Sequence, residues 1–121
     1  MNREIKFRGK RIDNKEWVFG HYTEGARGYH YITNNDGSVW MVDPTTIGQF
    51  TGLKDKNGVD IYEGDIVRWV DNNDNDRIDV IKYSNLDCAY ILNQYWNLGE
   101  FDMTVYEVIG NIHDNPELLQ K

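Results

Sequence analysis

Short runs of alternating apolar and polar side chains, broken by corners rich in Gly, Asn and Asp, recur through most of the 121 residues. Such alternation sets successive side chains on opposite faces of a strand, so each run predicts one half-buried strand. Glu4-Ile5-Lys6-Phe7-Arg8 places Ile5 and Phe7 on one face. Beyond the corner Asp13-Asn14-Lys15, the run from Trp17 to Tyr22 opposes Trp17, Phe19 and His21 to Val18 and Tyr22, and the two runs read as a hairpin. A turn at Gly25-Ala26-Arg27-Gly28 leads into Tyr29 to Thr33. The corner Asn34-Asn35-Asp36-Gly37 then joins this run to Ser38 through Val42, a strong hairpin signal because Gly accepts positive φ. Asp43-Pro44 stops that strand, and Thr45 to Phe50 is a further strand or an extended link.

The stretch from Gly48 to Trp69 combines a turn on Asn57-Gly58, the apolar pair Ile61-Tyr62 and a second turn at Glu63-Gly64-Asp65 that launches a strand from Asp65 to Val70. Gly58 and Gly64 supply turn dihedrals there, and Asp55 and Asp65 are placed to accept from backbone amides. The tract Asp71 to Asp76 is too polar to bury and predicts an exposed loop. Arg77 to Tyr83 and Cys88 to Tyr95 predict two more strands about a turn at Asn85-Leu86-Asp87, and Tyr106 to Ile112 predicts the last. Asn115 as N-cap before Pro116 predicts one C-terminal helical turn. Apolar spacing at the helical period is confined to a weak case between Ile91 and Phe101.

These elements predict a mainly β fold, a β-rich α+β fold at most, built from short strands and hairpins with a short C-terminal helical turn. Residues 1–121 are expected to form a single domain. Within it, 1–50 would be an N-terminal β-hairpin lobe and 57–112 an SH3-like small barrel, whose closure would remove sheet edges. Four Trp, eight Tyr and four Phe give a chain of this length enough bulk for a core without disulfides or metals.

Thirteen basic and 20 acidic residues leave a net charge of −7, a field that repels phosphate backbones, so nucleic acid is not the expected partner. Lys6, Arg8, Lys10 and Arg11 form the visible basic cluster, and strand alternation alone accounts for their spacing. The single cysteine, Cys88, excludes an intrachain disulfide and suits a reducing compartment. The charged opening residues lack the apolar stretch of a secretory leader, and no apolar run reaches the roughly 20 residues of a membrane-spanning helix. A soluble, cytoplasmic protein with no membrane contact is expected.

Candidate chemistry is sparse. An EF-hand begun at Asp71 has Asp76 where Gly is required and Lys82 where a bidentate Glu belongs. His21, His30, His113 and Cys88 lack zinc-ligand spacing, and no glycine loop precedes a Lys-Ser/Thr pair. No cofactor and no metal is therefore expected. Trp17, Trp40, Trp69 and Trp96 fit either core positions or a stacking platform for sugar or single-stranded nucleic acid.

Four blocks carry a family resemblance: Arg3 to Arg8, Trp17 to Gly20, Gly48 to Gly58 with Ile61 to Val67, and Tyr106 to Leu119. On these the chain resembles the YopX family of phage and prophage proteins, from end to end. The resemblance implies a small accessory protein of uncharacterised function, with no catalytic motif to transfer, that self-associates as a homo-oligomer. The expected function is a non-enzymatic interaction module that contacts a host or phage protein. Gln49, Thr51, Lys54, Asp55 and Glu63 are the candidate surface, and fold support explains the same residues. The alternative is a nucleic-acid-binding small β-barrel using Lys6, Arg8, Lys10 and Arg11 with exposed Trp or Tyr. An enzyme of unknown class stands third, and it would need a concave site with convergent titratable groups.

Overall fold

The computed structural model describes residues 5–70, 73–84, 89–92, 96–97 and 106–119. Among these, eleven strands run in chain order as β1 (Phe7–Lys10), β2 (Trp17–Glu24), β3 (His30–Thr33), β4 (Val39–Met41), β5 (Gly48–Lys54), β6 (Asp60–Tyr62), β7 (Asp65–Val70), β8 (Asp76–Ser84), β9 (Ala89–Leu92), β10 (Trp96–Asn97) and β11 (Glu107–Asn111). Helical geometry among the described residues is confined to short 3₁₀ turns such as Pro44–Thr46 and Pro116–Leu119, so the fold is mainly β, as the alternation predicts. The chain divides into two compact units, Met1–Phe50 and Thr51–Lys121, with β5 crossing the division.

In the first unit the strand order is β4-β3-β2-β1-β5, every pairing antiparallel. Val18, Ile32 and Val42 form its core, with Phe7, Tyr22, Trp40 and Ile47 packed around them. The sheet curls at one corner. Arg11 bridges Val42, Ile12 N donates to Met41 O (3.1 Å) and Asp43 N donates to Lys10 O (2.9 Å). Asp43 then stops β4 through its side chain, which accepts from Thr45 N at 3.0 Å and opens the 3₁₀ turn. The first strand extends past the expected end at Arg8, since Phe7 through Lys10 pair with Gly20 through Trp17, while Glu4 of the expected run lies outside the described residues.

The second unit pairs the end of β5 with β6 and orders its other strands β10-β9-β8-β7-β11. Ile61, Val67, Ile81 and Tyr106 form its core, flanked by Leu53, Trp69 and Val108. The SH3-like closure expected for 57–112 is not seen among the described residues: β10 and β11 end the sheet on opposite sides. Tyr106 O accepts from Lys56 N (3.0 Å) and Val108 N donates to the Asp55 carboxylate, which bonds the turn between β5 and β6 to the start of β11. The run expected from Cys88 to Tyr95 gives β9 over Ala89–Leu92, and Trp96–Asn97 adds a short strand beyond it. Residues 73–75 of the polar tract are exposed, as expected, whereas Asp71 and Asn72 lie outside the described residues. So do the turn Asn85-Leu86-Asp87 and Cys88. The C-terminal 3₁₀ turn forms at Pro116–Leu119, but the Asn115 side chain turns backwards and accepts from Asn111 N at 3.3 Å.

Candidate functional site

The corner between β5 and β6 is organised by Asp55, which is 6% exposed. One carboxylate oxygen accepts from Asn57 N (2.8 Å) and Val59 N (2.9 Å), and the other from Val108 N on β11 (2.9 Å). Asp55 N donates to Val59 O and Gly58 N to Asp55 O, which closes the turn around Asn57-Gly58. Burial pushes this carboxyl's pKa up, but the amides of Val108, Val59 and Asn57 outweigh it and leave the group more acidic than an ordinary aspartate.

The other candidate surface residues differ in exposure. Thr51 is buried and donates from Oγ1 to Ile61 O at 2.8 Å, while the same oxygen accepts from Leu53 N at 3.2 Å. Lys54 is exposed and forms an ion pair with Asp60. Gln49 is half-buried opposite Phe7 in the β1–β5 pairing, and Glu63 is half-buried in the turn before β7. Asp65 is 2% exposed and accepts from Tyr62 N at 2.7 Å. Asp55 and Asp65 therefore bond turn amides as their sequence positions predict. Of the five candidates Lys54 is exposed, Gln49 and Glu63 are half-buried, and Thr51 and Asp55 are buried.

The basic cluster is laid out differently from a solvated row. Lys6, Arg8 and Lys10 do alternate onto one face of the β1 run, but Arg8 is only 7% exposed. Its guanidinium lies 4.7 Å from the Trp17 ring centroid, with Lys10 Nζ 5.5 Å from the same ring and Lys6 Nζ 4.8 Å from that of Phe50. Arg11 faces Trp40 at 5.7 Å and makes two hydrogen bonds to Asp13, which hold that carboxyl below the usual aspartate range. Trp17 is thus the base of a cation–π cluster outside the first core, whereas Trp40 and Trp69 pack against the cores of their units.

Several features had no signal in the sequence. Tyr22 Oη and His30 Nδ1 lie 2.6 Å apart with their rings stacked beside Phe7. In the second unit Trp69 Nε1 donates to Asp79 at 2.7 Å, and burial, with Asp79 nearby, pushes the Tyr106 phenol up to about 12. The third feature is the face of the first sheet turned away from its core. Cross-strand rows put His21, Thr33 and Val39 side by side, then Thr23, Tyr31 and Met41, with Phe19 opposite Arg8. Phe19 is 47% exposed, Val39 56% and Met41 37%.

Comparison with known proteins places this geometry among relatives. The fold is similar to the crystal structure of protein EF1440 from Enterococcus faecalis, with a TM-score of 0.60 and 26% sequence identity over 98% of this chain and 100% of that one. No curated protein matches the chain. A family model described as YopX protein matches residues 2–120, the same family that the four sequence blocks resemble, and the chain belongs to the YopX family.

Proposed function

We propose that this chain is a non-enzymatic interaction module that acts through protein contacts. The observation that carries the reading is the uncovered apolar face of β2, β3 and β4, where Phe19, Val39 and Met41 stand exposed on an ordered sheet. Uncovered apolar side chains grouped on one surface mark interaction sites. The carboxylates of Asp55 and Asp65 support it as well, because their oxygens serve backbone amides of the fold. Family resemblance supports an accessory protein of a phage or prophage that works inside the host cell as a homo-oligomer.

The test is affinity capture from a phage-infected lysate with the wild-type chain and a Phe19→Ser/Val39→Ser/Met41→Ser variant. A specific protein retained by the first and lost by the second, with near-ultraviolet circular dichroism unchanged, is the expected result. Retention of the same protein by both, or of none above a tag control, would overturn it. Light scattering tests the homo-oligomer separately: a mass that stays at 14.2 kDa would remove it.

A further inference from the structure

We propose that Asn57 is a self-modification site, converted by water from an amide to an acid, and that the Asp55 turn controls how fast this happens. The site is independent of the apolar face on β2, β3 and β4. Asparagine followed by glycine is the pair in which a backbone amide most readily attacks the preceding carboxamide, because glycine has no side chain to obstruct the approach. Asn57-Gly58 is the single Asn-Gly pair in the chain.

The chemistry needs only water. Gly58 N bonds to Asn57 Cγ, and the Cγ–Nδ2 bond breaks. Nδ2 leaves as ammonia, carrying the Gly58 amide proton, and a cyclic imide remains. Water then adds its hydroxyl to either imide carbonyl carbon and its proton to the nitrogen. The product is an aspartyl residue or an isoaspartyl residue, and the second has one extra carbon in its backbone.

The structure leaves the electrophile open and holds the nucleophile. Asn57 is exposed, and its carboxamide makes no hydrogen bond among the described residues. Asn14, Asn34, Asn111 and Asn115 instead spend theirs on backbone amides. A carbon added at Gly58 would meet nothing within 4 Å, which leaves room for a ring. The restraint lies in the backbone. Gly58 N donates to Asp55 O (3.0 Å), while Asn57 N and Val59 N both donate to one Asp55 carboxylate oxygen. Ring closure must turn the peptide between 57 and 58, so these bonds have to open first.

The isoaspartyl product would keep the turn open. Its extra carbon separates Asn57 N from Val59 N, so one carboxylate oxygen no longer spans both. The other oxygen of that carboxylate accepts from Val108 N, which carries the loosening to β11.

The experiment follows position 57 by peptide mapping of the full chain held in mildly alkaline buffer, native or unfolded in urea. Conversion should be fastest in urea and slower by about tenfold or more in the native chain. Asp55→Ala should recover much of that difference, and Gly58→Ala should leave Asn57 intact in urea. Amide exchange at Gly58 serves as a check that needs no substitution. In wild type at rising urea below the unfolding transition, conversion should rise in step with it. The isolated isoaspartyl form should exchange faster at the Val59 and Val108 amides.

Equal rates in native and unfolded chains would overturn the proposal, as would no product even in urea. Conversion of Asn14, Asn34 or Asn111 ahead of Asn57 in the native chain would do the same. So would a conversion rate indifferent to Gly58 exchange, or an isoaspartyl form whose Val59 and Val108 amides stay as protected as before.

Discussion

The Asp55 carboxylate ties a turn to a strand 53 residues away, and three backbone amides depend on it. Asp55→Ala leaves those donors without their acceptor, and a loss of about 3 kcal/mol in urea unfolding is expected. The pH dependence follows from the group's lowered folded-state pKa. As pH falls, the unfolded chain protonates this side chain first. Its stabilisation is therefore full above the unfolded aspartate value of about 4 and is lost as pH falls through the lower folded value. Urea midpoints between pH 7 and pH 2 should fall more steeply for wild type than for Asp55→Asn. Tyr106 works in the opposite direction: its phenol is raised to about 12, so its contribution is full below about pH 10 and lost as pH rises through 12. Tyr106→Phe should flatten that alkaline loss in the same measurement. The local half of the Asp55 site was legible because Asp-Lys-Asn-Gly is turn chemistry. Its bond to Val108 was not, because nothing in a sequence reports which distant amide faces a corner. The burial of Arg8 was hidden for a similar reason: alternation gives a residue's face but not what covers that face.

Strands and hairpins were the most legible level, and the departures have separate causes. Asp65–Val70 matches its expected run because the Glu63-Gly64-Asp65 turn fixes where pairing starts. The first strand runs on to Lys10 because Gly9 and Lys10 find partners in Val18 and Trp17, which its own pattern does not report. Trp96–Asn97 is too short for any alternation to show. Glycine positions separate close packing from turn geometry. At Gly20, with φ of 155°, an added Cβ would lie 2.0 Å from Thr33 O and 2.9 Å from the Asn34 Cα, so the β2 and β3 backbones must part. At Gly58, with φ of 79°, nothing lies within 4 Å of the added carbon and only the left-handed backbone opposes it. Gly20→Ala should therefore cost about 3 kcal/mol or more, and Gly58→Ala about 1 kcal/mol. Thermal unfolding of the two variants measures the difference, and equal losses would contradict this account of the β2–β3 contact.

Fold class is the property of the whole molecule that the alternating runs conveyed, because a chain of short half-buried strands has few ways to hide its apolar faces other than in sheets. Barrel closure was not legible, since it depends on which backbone edge remains available after the corners have bonded. The exposed apolar face was also hidden, although Phe19 and Val18 are adjacent in sequence. Their opposite fates are decided by which face each unit fills with its own core. This gives a distinction that stability measurements can resolve. Ile32 and Ile61 are fully buried, one in each core, so Ile32→Ala and Ile61→Ala should each cost roughly 2–5 kcal/mol, the range for truncating a buried isoleucine. Val39 and Met41 are exposed, so Val39→Ser and Met41→Ser should each stay within about 0.5 kcal/mol of wild type. If urea unfolding instead shows losses at Val39 and Met41 comparable to those at the isoleucines, these side chains support the fold and are not held in reserve for a partner. Small losses there, combined with loss of binding, would mean that apolar side chains of little use to the folded state are kept on the surface for contact.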